Sequence, residues 1–308
     1  MSVPMYTETQ LGQYFDHIGY PRSAHGHGED ALGFLAELQL RNLARVPFED
    51  VSLHYSKHRL LSLDPEDLFE KIVVNSRGGY CMEVNCFFGT VLRSLGFSVT
   101  SVGGRVNGPD GYGGWGHMVN LVTIDHKTYL VDVAYGSNSP CRPVPLEQDV
   151  EFDGVYPQRG KLEYKSIQKH SDPNQRVWVY STRANTDSAW KEEYSFVEIE
   201  FFPEDFRVMN LSTMTAPQSF FVQTVVATKV LLNPQTAEPE GVLILHKDYV
   251  KRRMGEHSEI IETLQTEEQR VRALRDYFHI DLKPEEKRAI RGLPSELKSG
   301  KGLPSGLH

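Results

Sequence analysis

A chain of 308 residues with 39% hydrophobic and 24% charged side chains has the make-up of an ordinary soluble globular protein, long enough to bury a core without disulfide or metal staples. Lys plus Arg is 33 and Asp plus Glu is 41, a formal net charge of −8, which argues against a general nucleic-acid binder and against residence on an anionic membrane. No apolar run approaches the ~18 residues of a spanning helix. The opening MSVPMYTETQLGQ lacks a basic n-region and an apolar h-region, and Cys81, Cys86 and Cys141 make no disulfide framework, so a reducing cytoplasm is the expected location.

Read in chain order, the first third is helical. Leu11, Tyr14, Phe15 and Ile18 recur at helical spacing and stop at Gly19-Tyr20-Pro21. Ser23–Glu29 reads as a polar loop, and Asp30 caps a second helix whose Leu32, Leu35, Leu38 and Leu43 form a stripe that ends before Val46-Pro47. Asp64 and Pro65 open a third helix with Leu68, Ile72 and Val73 on its apolar face. In the fourth, Cys81, Val84, Phe88, Val91, Leu92 and Leu95 trace one face after the turn Arg77-Gly78-Gly79-Tyr80, and Gly96 closes it.

Beyond Gly96 the period falls to two. Ser98–Val106 reads as a strand, Gly108–Gly116 as a glycine-rich loop, and His117–Ile124 with Thr128–Tyr135 as a hairpin turning at Asp125-His126. Arg176–Tyr180 and Tyr194–Phe202 are strand-like, while Ser171–Ala189 as a whole reads as an irregular surface excursion. Phe221–Leu232 and Gly241–Leu245 suggest a further pair of strands, Thr266-Glu267-Glu268-Gln269 a capping box opening a helix with Val271, Leu274 and Phe278 inside, and Leu293–His308 a loose tail. The outline is α+β in three units, 1–96, 97–210 and 211–308.

Cys81 falls at the start of a buried helix, where the dipole and free N–H groups favour a thiolate and can hold an oxyanion; a buried structural cysteine is the other reading. If Asp125 and His126 are the turn residues, Asp132 faces Val119 across the hairpin and His117 lies two residues along on the same face, within reach of it. Each of these alone fits a satisfied core histidine or an edge carboxylate. Together with Cys81 they make the nucleophile, base and orienting acid of a triad. Two thiols on one helix, Cys81 and Cys86, lack a second ligand pair, so no metal site is expected.

At this point the sequence resembles the arylamine N-acetyltransferases. The resemblance rests on Val46-Pro47-Phe48-Glu49, on Arg77-Gly78-Gly79-Tyr80-Cys81-Met82-Glu83-Val84-Asn85, on His117 opening a strand, and on Tyr129-Leu130-Val131-Asp132-Val133-Ala134-Tyr135-Gly136. Phe202-Pro203-Glu204-Asp205-Phe206 through Met209-Asn210 and the helix around Ala273–Phe278 fit as well, so it runs from about Tyr14 to Leu282.

The resemblance implies an N-terminal helical bundle carrying Cys81, a central β-barrel carrying His117 and Asp132, and a C-terminal α/β lid, a cysteine-protease-like core. It implies ping-pong transfer of an acetyl or other short acyl group from acyl-coenzyme A, through a Cys81 thioester, to a small aromatic amine or hydrazine. His117 would hold the thiolate and move protons, Asp132 would fix the imidazole, and Arg77 would pair with Glu49 to brace the Cys81 loop. Phe48, Val106 and Tyr135 match acceptor-pocket positions; Gly114, Trp115, Gly116, Ser219 and Phe221 match coenzyme-channel positions. Tyr135 stands where many relatives have Phe, and Ser137 where some have Arg. A Cys–His–Asp amide hydrolase or transglutaminase-like enzyme shares the triad, but the Arg-Gly-Gly-x-Cys block favours the acyltransferase.

Overall fold

The computed structural model describes residues 4–21 and 30–298; the loop expected at Ser23–Glu29 lies outside them. Helix α1 (Glu8–Ile18) opens on a Thr7/Gln10 capping box and ends at Gly19 in the left-handed region. Helix α2 (Ala31–Arg45) is capped by Asp30, whose carboxylate accepts the Gly33 N–H. Strand β1 (Phe48–Glu49) and helix α3 (Val51–His54) follow. Helix α4 (Pro65–Phe69), capped by Asp64, runs on into a π turn over Glu70–Val74. Helix α5 (Cys81–Ser94) carries the expected apolar face, and α1, α2, α4 and α5 share one core that includes Tyr14, Leu35, Leu68, Ile72, Phe87 and Phe88.

The change of period then delivers β2 (Ser98–Gly108), β3 (Gly111–Tyr112), β4 (His117–Ile124) and β5 (Lys127–Val131). Asp125 and His126 have φ of 47° and 63°, the left-handed pair of a two-residue type I′ turn. Asn120 faces Val131 and Ile124 faces Lys127, the register that follows from those turn residues. Strands β6 (Val144–Pro145), β7 (Glu151–Asp153), β8 (Arg159–Lys165), β9 (Val177–Arg183) and β10 (Lys191–Glu200) complete a sheet in the order β6-β5-β4-β2-β10-β9-β8-β7, with β3 beside β2. It forms a nearly closed barrel around Val119, Leu130, Leu162, Tyr180, Tyr194 and Phe196. The irregular excursion expected over Ser171–Ala189 is corrected: β9 runs through it, buried from Val177 to Thr182, and only the flanking turns are irregular.

Helices α6 (Pro203–Thr215) and α7 (Phe220–Gln223) lead to β11 (Val226–Leu232). The strand expected from Phe221 therefore begins later, because the Ser219 carbonyl accepts the amides of Val222 and Gln223 and winds this stretch into α7. Strands β12 (Pro239–His246), β13 (Tyr249–Met254) and β14 (His257–Thr263) extend β11 into a sheet whose other edge is β1, order β1-β11-β12-β13-β14. Helix α8 (Glu267–Phe278), opened by the Thr266/Gln269 box, covers it through Ala273, Leu274 and Phe278. After α9 (Pro284–Ala289) the tail departs from expectation as far as it is described. The Ser295 hydroxyl bonds His54 Nδ1 at 2.8 Å, the buried Arg270 donates to the Ser295 carbonyl, and Leu297 N–H donates to Glu267.

Candidate active site

The arm between the π turn and α5 is held through its backbone. Gly79 N–H donates to the Pro47 carbonyl and Glu49 N–H to the Gly79 carbonyl, a parallel bridge that ties the arm to β1. Gly78 has no room for a side chain, since a Cβ there would fall inside the Pro47 carbonyl oxygen. Its N–H donates to Glu49 Oε1 at 3.0 Å, while Glu49 Oε2 accepts from Val51 N–H. With both oxygens so engaged in a fully buried site, Glu49 does not make the pair expected with Arg77; Arg77 turns outward to Glu286 at 3.2 Å instead.

This arm delivers Cys81 to the first turn of α5, buried, its sulfur 3.6 Å from the Gly116 carbonyl. His117, the first residue of β4 and the neighbour of Gly116, sets Nε2 2.8 Å from Asp132 Oδ2. Burial alone would lower the imidazole's proton affinity. The Asp132 carboxylate outweighs it and, with Cys81 adding to the effect, His117 is pushed up to about 10. Burial likewise works to raise Asp132, and the His117 charge and hydrogen bond more than reverse it. The couple is an imidazolium–carboxylate pair at neutral pH, poised beside a thiol at a helix N-terminus.

Asp132 is itself fixed. Asn85, one turn along α5 from Cys81, donates to Asp132 Oδ1 at 2.8 Å and to the Met118 carbonyl at 2.7 Å, and accepts from Val133 N–H. The Ala134 N–H supplies a further bond to Oδ1. Sequence reasoning missed Asn85, although its i+4 spacing from Cys81 on a buried face was a usable signal. It missed Glu83 and Lys71 too, which are joined by a 2.6 Å ion pair.

Several expected pocket residues converge here. The His117 ring lies 5.2 Å from Tyr135 and 4.6 Å from Tyr194. The Tyr135 hydroxyl donates to the Glu193 carbonyl at 2.8 Å, so the oxygen that distinguishes it from Phe fixes the ring against β10. Phe221 meets Tyr80 at 5.2 Å and Phe48 at 6.0 Å, and Gly136 lies over Phe48. Beside this group, Arg253 of β13 donates to the Ser137 carbonyl at 3.2 Å. Others stand farther out. Val106 is 37% exposed, Trp115 lies under the Arg105 guanidinium and meets Phe201 edge to face, Gly114 borders open space, and Ser219 caps α7. Among the described residues no group of His, Cys, Asp and Glu is placed to hold a metal, and no helix is long and apolar enough to cross a membrane.

The family model described as N-acetyltransferase matches residues 31–287. An N-malonyltransferase, FDB2, of Fusarium pseudograminearum is 37% identical over 95% of this chain and 94% of its own. Among solved structures, an arylamine N-acetyltransferase of Mycobacterium abscessus superposes with a TM-score of 0.79 at 23% identity, covering 94% of this chain and 98% of that one. One of Mycobacterium marinum in complex with CoA gives 0.76 at 26% identity, covering 90% and 96%.

Proposed function

This chain belongs to the arylamine N-acetyltransferase family and is an acyl-coenzyme-A-dependent N-acyltransferase, and from that premise we propose a ping-pong reaction through a Cys81 thioester. The observation that carries the proposal is the convergence of Cys81, at the start of α5 with its sulfur 3.6 Å from the Gly116 carbonyl, on the next residue His117, whose Nε2 is held by Asp132 at 2.8 Å. In the first half-reaction the Cys81 thiolate attacks the thioester carbonyl of the donor. The oxyanion develops against first-turn amides of α5, the carbon–sulfur bond to coenzyme A breaks, and His117 returns a proton to the departing thiolate. In the second, the lone pair of a small aromatic amine or hydrazine attacks the Cys81 thioester. The amide forms, Cys81 leaves as thiolate, and the amine's proton goes to His117.

For the donor we propose malonyl-coenzyme A ahead of acetyl-coenzyme A, because the relative matching 37% over nearly the whole of both chains is an N-malonyltransferase. Phe48, Tyr135 and Phe221 would wall the acceptor and acyl pocket, and Trp115 and Gly116 would border the coenzyme's path. Intact mass spectrometry tests this directly. Incubation with malonyl- or acetyl-coenzyme A and no amine should add one acyl group, faster for malonyl. The adduct should be absent in Cys81→Ala, retained in Cys86→Ala, and discharged by an aromatic amine. Burial pushes the Cys86 thiol up to about 11, which suits a bystander. No adduct from either donor, with turnover of simple amides instead, would transfer the assignment to a hydrolase.

A further inference from the structure

We propose that Lys71 is the positioning residue for the nucleophile, the shared counter-ion through which Glu49 and Glu83 hold the arm that ends at Cys81. This rests on the reading of Cys81 as the nucleophile. Lys71 engages that arm at three points. Its carbonyl, turned inward by the π turn, accepts the Arg77 N–H at 3.0 Å. Its ammonium lies 2.6 Å from Glu83 Oε1, and Glu83 Oε2 accepts the Tyr80 N–H at 3.2 Å. The same ammonium lies 4.0 Å from Glu49 Oε1, the oxygen that accepts the Gly78 N–H. The amides of residues 77, 78 and 80 thus converge on one residue, the first on its backbone carbonyl and the other two on its ammonium through Glu49 and Glu83.

Electrostatics makes the arrangement dependent on that cation. Glu49 and Glu83 are buried, and two unpaired carboxylates under a thiolate would be costly twice over: each lacks water, and each repels the sulfur charge. Arg77, the other cation of the arm, is engaged by Glu286. The charged groups around Lys71 are Glu49 on β1, Glu83 on α5, Arg77 on the arm and Glu70 on its own turn. Asp67, Asp281, Lys283 and Glu286 line, together with Lys71, a cavity of about 570 Å³. That cavity has room for a longer cation. Around Cys81 itself stand His117, Asp132 and the Tyr80 and Tyr135 hydroxyls.

The test compares wild type, Lys71→Met, Lys71→Arg and the double variant Lys71→Met/Glu83→Gln. Alkylation of Cys81 by iodoacetamide is followed across pH by peptide mass, and formation of the acyl-enzyme by intact mass. Lys71→Met should slow acylation by about 10- to 100-fold and move the alkylation profile to higher pH, the scale expected when a reacting group is displaced by an ångström or so. Lys71→Arg should return most of the rate, and Glu83→Gln on the Met background should move the profile back by removing the stranded charge. If Lys71→Met fails to fold, Lys71→Arg and the double variant are compared with wild type alone. A rate in Lys71→Arg and in the double variant no better than one-hundredth of wild type, or an unchanged alkylation profile in every folded variant, overturns the proposal. A wild type that alkylates at Cys81 but never acylates overturns the thioester reading instead, and the alkylation profiles still decide the role of Lys71.

Discussion

At the scale of single residues, the strongest constraint falls on Asp132, which has no exposure to water and accepts from His117, Asn85 and the Ala134 amide. Asn85→Ala would remove one of those donors and break the bonds to the Met118 carbonyl and the Val133 amide. Stability should fall by about 1–3 kcal/mol in urea titration, with kcat/KM down about tenfold or more as the imidazole loses its orientation. The His117–Asp132 pair also gives stability a pH signature. The folded imidazole is raised from 6.5 to about 10, so its contribution is fully present below pH 6.5, declines as pH rises, and is gone once pH passes about 10. The melting temperature should fall across that window, and His117→Gln should flatten the fall. An equal slope in both proteins would show that other groups govern it.

At the scale of elements, the arm from Arg77 to Tyr80 is defined by contact with backbone rather than by its own propensity. Gly78→Ala should push the arm off β1, cutting acyl-enzyme formation by about 100-fold while far-ultraviolet circular dichroism stays close to wild type, because the clash is with one carbonyl rather than with the core. Elements set by local pattern were legible in the sequence: the α5 face, the Asp64-Pro65 start of α4, the Thr266 box, and the β4–β5 register that brings His117 to Asp132. Partner choice was not. Both Glu49 oxygens accept backbone amides, and the cation nearest it is Lys71, which sits in a π turn that no apolar spacing announces. Strands β13 and β14 escaped for another reason. Their sequences, YVKRRM and HSEIIET, place charged residues along a largely solvent-facing pair, so alternation carried little apolar contrast.

At the scale of the whole molecule, distant segments close on one another. The last described residues bind the first third of the chain: Ser295 bonds His54, and Arg270 links Tyr55 to the Ser295 carbonyl. Ser295→Ala would leave a buried imidazole nitrogen without a partner and should cost about 1–3 kcal/mol, read as a lower midpoint of thermal or urea unfolding. The three-part outline of the sequence did not foresee this strap, since the tail's Gly, Ser and Pro content resembles a loose end and its fixing comes from side chains on α3 and α8. β1, only two residues long, pairs on one side with β11 and bridges on the other to Gly79. During synthesis Cys81 emerges from the ribosome well before Val226–Leu232, so the strand that completes its support does not yet exist. The thiol should acquire its reactivity only after the carboxy-terminal sheet has been made, which would keep a half-made chain from consuming acyl-coenzyme A.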